Sequence, residues 1–264
     1  MATFLRKTQV EPLAISARME ATALSVYRPL TGARIGGGIS FNPLGCIDDI
    51  TGVIYDELCG PITPFEPNVV VPSTCVEFEP FSMHLELEQD NLTGMSAAEV
   101  DAYLDQHMRL WQSAVIAREV RDAAYSDNPY FTNEADTVTG LDATSVGALA
   151  AVEDALAVKI GNGAGMLHMT PGMLTILASK GAVSDSGGTW RSPTGHQVVA
   201  DAGWVGSGGT GYIYGSGPVY VAVANEYDAQ TLQLADNRFS TFRKLDALVA
   251  FEPCAVVRAA VTSP

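Results

Sequence analysis

The spacing of apolar residues changes several times along the chain, and each change marks an expected element. Val100, Tyr103, Leu104, Trp111, Ala114 and Val115 recur at three- and four-residue steps, with no Gly or Pro before Tyr125. That spacing lines up one face of a helix. Ahead of it, Ser96-Ala97-Ala98-Glu99 is a capping box, in which hydroxyl and carboxylate each accept the other residue's amide. A helix of roughly 30 residues, about 45 Å long, is predicted from Ser96. Arg109, Arg118, Glu119, Arg121 and Asp122 are expected on its wet or paired face.

Asp127-Asn128-Pro129 breaks that pattern, and an alanine-rich helix is predicted from Thr144 to Lys159, stopped by Gly161-Asn162-Gly163. Gly165 to Met169 reads as a short buried strand. Thr170-Pro171 then supplies an N-cap and a first-turn proline for a helix with Met173, Leu174, Ile176 and Leu177 inward, closed by Lys180-Gly181. From Trp190 the pattern turns to strands: 196–200, 211–214, 218–224, 238–248 and 254–260.

The first third behaves differently. Pro12 and Pro29 discourage long elements in residues 1–34, which read as an arm. From Gly36 to Pro80, short strand candidates at 53–55, 69–71 and 75–78 alternate with breakers, Pro61, Pro64 and Pro67 among them, which suggests an extended excursion. Glu77/Glu79 and Glu86/Glu88 fall on one side of a strand each, as on the solvent edge of a ribbon. The predicted class is α+β without an alternating βαβ series.

Composition leaves room for a real core: 264 residues, 47% hydrophobic and 17% charged. The net charge of −15 argues against a basic surface for phosphate backbones or anionic lipid. Its distribution is uneven. Residues 1–34 carry five basic and two acidic side chains, whereas residues 35–108 carry 13 acids and no Lys or Arg. The acidic stretch reads as a solvated surface or as a surface between subunits that meets basic groups such as those of the arm. No signal-peptide h-region and no membrane-spanning apolar run is apparent. Cys46, Cys59, Cys75 and Cys254 show no metal-ligand spacing and are expected as buried reduced thiols.

Candidate chemistry is sparse. Gly206 to Gly211 matches G-x-G-x-x-G, but a strand rather than a helix follows, so a glycine-rich hairpin loop is expected in place of a dinucleotide site. His84, His107, His168 and His196 form no metal-binding pair, and Asp48-Asp49 and Asp56-Glu57 lack the glycine punctuation of a calcium loop. A G-x-S-x-G elbow is absent; His196, Asp201 and the serines of 184–194 are the one set from which a hydrolytic triad can be composed on paper. No catalytic, cofactor-binding or metal-ligating residue is assigned. Trp111, Trp190 and Trp204 read as core or interface anchors.

The order of elements carries a resemblance: basic arm, Pro-rich excursion, one very long helix, a helix-and-strand region, then returning strands. It resembles the major capsid proteins of tailed bacteriophages, whose Hong-Kong-97-like fold is shared with encapsulins. The resemblance implies an N-terminal arm at 1–34, an extended β loop and β-rich region at 35–95, and a spine helix with a peripheral domain at 96–143. It further implies an axial domain at 144–235 and strands returning to the peripheral domain at 236–264. Met166 to Leu177 is similar to the strand-then-helix of such subunits. Arg238 to Arg243 and Ala250 to Val257 are similar to their closing strands. The segments from about 144 onward also resemble structural proteins of actinobacterial phages.

By that resemblance the chain is expected to be a non-enzymatic virion subunit that assembles with itself into hexamers and pentamers of an icosahedral shell around double-stranded DNA. Separate scaffold, portal and decoration proteins are implied partners, with assembly in the host cytoplasm and no cofactor, membrane or sequence-specific nucleic acid. No lysine lies between Lys7 and Lys159, so lysine cross-linking from the extended loop has no starting residue. Arg6, Arg28, Arg34, Arg109, Arg118, Arg121 and Arg243 are the candidate interface residues, because forked guanidinium groups pair with carboxylates across contacts. The alternatives are another virion component, an encapsulin-like compartment shell and, from a different class, a soluble α+β hydrolase using His196.

Overall fold

Two large sheets and a two-stranded one organise the described residues. A computed structural model describes residues 21–30, 38–41, 76–90, 97–142, 144–161, 163–206, 211–224, 227–233 and 238–261. In order, the elements are α1 (Ala23–Val26), β1 (Arg28–Pro29), β2 (Ile39–Phe41), β3 (Val76–Phe78), β4 (Phe81–Asp90), α2 (Ala97–Asp122), α3 (Phe131–Glu134) and β5 (Asp136–Val138). Then come α4 (Ser145–Ile160), β6 (Met166–Met169), α5 (Pro171–Ser179), β7 (Ser184–Asp185), β8 (Trp190–Arg191) and β9 (Gln197–Ala200). β10 (Tyr212–Ser216), β11 (Tyr220–Val223), β12 (Tyr227–Gln233), β13 (Arg238–Ala250) and β14 (Val257–Ala260) complete the series. Short 3-10 turns cover Ala202–Trp204 and Pro253–Ala255.

The 13-residue β13 is the axis of the first sheet. Along one edge it pairs antiparallel with β4, from Arg238 opposite Asp90 to Ala247 opposite Phe81. Along the other it pairs with β12 and then β11, and β1 adds parallel to β11. β4 alternates as a half-buried strand should: Phe81 and Met83 face in, while Ser82, His84 and Glu86 face water. The side chain of Glu88 lies outside the described residues, as do the strand candidates at 53–55 and 69–71. The third candidate is present as β3, paired with β2.

The second sheet has seven strands in the order β5-β14-β10-β6-β9-β8-β7. All four residues of β6 are buried. Leu149, Val152 and Leu156 of α4 and Met173 and Leu177 of α5 close over Leu167, Met169, Val198, Ile213 and Val257 as one apolar cluster. The chain after residue 236 divides between the sheets, β13 in the first and β14 in the second. The glycine-rich run from Gly206 is not a hairpin. β9 lies parallel to β6, and β10 pairs with the opposite edge of β6, so the connection crosses over instead of turning back.

Local signals set the helix ends. The Thr144 hydroxyl accepts the Gly147 amide at 3.1 Å, and Gly161 leaves α4 at φ +61°, where a glycine is least strained. The Thr170 hydroxyl accepts the Met173 amide at 3.2 Å with Pro171 in the first turn. α2 has 26 residues and stops short of Tyr125, because Ala123 turns left-handed at φ 47° and the Glu119 carboxylate captures the Tyr125 amide at 2.8 Å. Ser96, the other half of its expected cap, lies outside the described residues. Cys254 is disulfide-bonded, a correction to the expectation of a reduced thiol; its partner also lies outside the described residues.

Candidate functional site

α2 is the longest helix among the described residues, about 39 Å at 1.5 Å per residue. Val100, Leu104, Met108, Ile116, Ala117 and Val120 are buried along one face, and the last four pack in one cluster with the apolar side of the first sheet and Trp204. The opposite face carries Arg109, Arg118 and Trp111, the last 57% exposed. A shallow groove of about 200 Å³ lies beside it, lined by Met83, Leu85, Met108, Trp111, Val115 and Tyr125.

The expected interface arginines fall into three groups. Arg6 and Arg34 lie outside the described residues. Arg28, Arg109 and Arg118 are exposed and make no ion pair among the described residues. Arg121 and Arg243 are buried and spend their polar groups within the subunit. Arg121 donates to the carbonyls of Gly203 at 2.7 Å and Val205 at 2.9 Å and pairs with Asp122 at 2.5 Å. Arg243 pairs with Asp105, which joins β13 to α2.

Behind α2 lies a polar hub that local sequence patterns do not reveal. Asp201, 4% exposed, follows β9 and opens the 3-10 turn. Its Oδ2 accepts the Ser113 hydroxyl at 2.6 Å and the Ala23 amide at 3.1 Å, and its Oδ1 accepts the Gly203 amide at 3.1 Å. The Ser113 hydroxyl in turn accepts the Leu24 amide at 3.2 Å. Gly203 is required there: a Cβ would meet the Ala114 carbonyl oxygen, the Ala117 Cβ at 2.7 Å and the Arg118 amide at 2.8 Å. Three donors satisfy the carboxylate, which makes no ion pair among the described residues.

A second buried chain of hydrogen bonds runs beside it. The Ser216 hydroxyl donates to the Gly217 carbonyl at 2.7 Å, so it accepts from His168 Nε2 at 2.8 Å. That fixes the His168 tautomer and leaves Nδ1 to accept from the Tyr27 hydroxyl at 3.3 Å. Burial pushes the His168 imidazole down to about 3, so the ring is neutral. Burial first, and the Asp201 carboxylate second, hold the Tyr27 phenol well above its usual range, so it remains a donor. The one sequence-level trace of this hub is Ser113, a small hydroxyl on the inward side of α2.

The hydrolytic set does not converge. His196 Nδ1 accepts the Gly165 amide at 2.9 Å, and burial lowers its basicity. Asp201 faces Ser113 and the Ala23 and Gly203 amides instead of His196, while Thr194 of the neighbouring loop donates to Glu153 at 2.5 Å. Among the described residues no cluster of three or more His, Cys, Asp or Glu side chains gathers as a metal site, and no helix is long and apolar enough to cross a membrane.

No family model and no curated protein matches this sequence. Solved structures do match its shape. A chain from Gordonia phage Cozz superposes with TM-score 0.61 at 13% identity, covering 99% of this chain and 92% of that one. The capsid of a native GTA particle gives TM-score 0.61 at 11% identity, covering 98% and 96%. The holo-SrpI encapsulin complex from Synechococcus elongatus PCC 7942 gives TM-score 0.57 at 9% identity, covering 97% and 93%. The chain therefore has the α+β Hong-Kong-97-like fold that its element order resembled.

Proposed function

We propose that this chain is a major capsid subunit, which assembles with itself through hexamers and pentamers into an icosahedral shell enclosing double-stranded DNA. The observation that carries this reading is coverage. Phage, GTA-particle and encapsulin chains share the fold over more than nine-tenths of both partners. In this reading residues 1–34 are the arm, 35–95 the extended loop region and 96–143 the spine helix with the peripheral domain. Residues 144–235 form the axial domain, and 236–264 are the closing strands.

Arg6, Arg28, Arg34, Arg109 and Arg118 reach carboxylates of neighbouring copies, since a guanidinium on a chain of net charge −15 meets acidic surface on every neighbour. Arg121 and Arg243 contribute by holding the subunit's own shape. The particle is a virion capsid built in the host cytoplasm, with separate scaffold, portal and decoration proteins. The encapsulin match supports a second reading, a protein compartment, and the two differ in whether native particles contain DNA.

Negative-stain microscopy of the purified chain tests the class. Closed shells or five- and six-membered rings are expected, unchanged in His196→Ala. Turnover of ester or amide substrates that disappears in His196→Ala would overturn the structural reading.

A further inference from the structure

Residues 21–30 touch both sheets and α2 while forming almost no regular structure of their own. Their longest element is the four-residue α1. Toward the second sheet, the Ala21 carbonyl accepts the Ala200 amide at 2.7 Å and the Tyr27 hydroxyl reaches His168 of β6. Toward the first, the Arg28 and Leu30 amides donate to Val219 and Val221, each at 2.8 Å. Between these ends the Ala23 and Leu24 amides are held by two side chains, Asp201 and Ser113, instead of by a ladder. β1 is an edge strand, so its removal leaves the β11-β13 pairing whole.

We propose that residues 21–30 are a releasable strap, locked by Asp201, that ties β9 and β11 together. Beyond the burial of Ala23, Val26 and Tyr27 in the core under α2, the segment is held by side-chain bonds that each add only about 1 kcal/mol net, so ten residues at a sheet edge open at less free energy than the whole body. The inference concerns the folded chain itself and stands whether or not the chain forms shells.

Hydrogen exchange of the full-length chain, resolved to single amides, tests it. The Ala200 amide is the diagnostic reporter, because it lies in the second sheet but donates to the strap. Asp201→Asn replaces one acceptor oxygen with a donor facing other donors. Exchange at Ala23, Leu24, Arg28, Leu30 and Ala200 should rise together by about tenfold or more, with β13 amides changed less than about twofold. Ser113→Ala, a milder change that removes the Leu24 acceptor, should raise the same set by a smaller factor and carries the test should Asp201→Asn not fold. A uniform rise across strap and β13, or no rise at Ala200 in Ser113→Ala, would overturn the proposal.

Discussion

His168 illustrates how a single buried ring makes this fold sensitive to acid. In the folded chain it is neutral, with its pKa near 3, whereas the unfolded chain titrates near 6.5. Between those values the unfolded state binds a proton that the folded state does not. The contribution is therefore complete above pH 6.5 and is lost as pH falls toward 3, by at most about 5 kcal/mol. Denaturant unfolding at pH 7 and pH 4 should show a steeper acid loss for the wild type than for His168→Gln; equal losses would contradict this account. At Gly203 the limit is steric. Gly203→Ala drives a methyl group into the backbone of α2 at Ala114 and Arg118. It should cost about 3 kcal/mol, read as a lower denaturation midpoint at unchanged slope.

At the scale of elements, α2 does two jobs with two faces. Its inner face fixes the first sheet through Met108, Ile116 and Val120, and through the Asp105–Arg243 pair. Its outer face leaves Arg109 and Arg118 without ion pairs among the described residues. Arg109→Glu with Arg118→Glu should therefore leave the unfolding temperature within a few degrees while sharply lowering the assembled fraction in sedimentation. An unchanged assembled fraction would remove these residues from the contact. The helices and their caps were legible in the sequence because Thr144, Thr170, Pro171 and Gly161 act within a turn of themselves. The stop at Asp122 was not, since it depends on Ala123 adopting a left-handed conformation and on Glu119 folding back. Sheet membership was also illegible: whether β14 joins β13 or β10, and whether the Gly206 run turns or crosses, depend on partners far along the chain. The Asp201 hub gathers residues 23, 113, 201 and 203 from three separate elements, so no local pattern marks it.

At the scale of the whole molecule, two apolar clusters, one under α2 and one between α4, α5 and the second sheet, are joined by a buried polar seam at Tyr27, His168 and Asp201. A net charge of −15 makes separate copies repel one another, so in the proposed capsid subunit assembly would wait on specific contacts between arginines and acidic surfaces. The most direct measurement is the particle mass of the purified chain by light scattering over a range of concentrations and salt. The account predicts species of five, six or many times 27.9 kDa. A mass that remains at 27.9 kDa at high concentration, even with scaffold and other virion proteins of the same origin supplied, would contradict it.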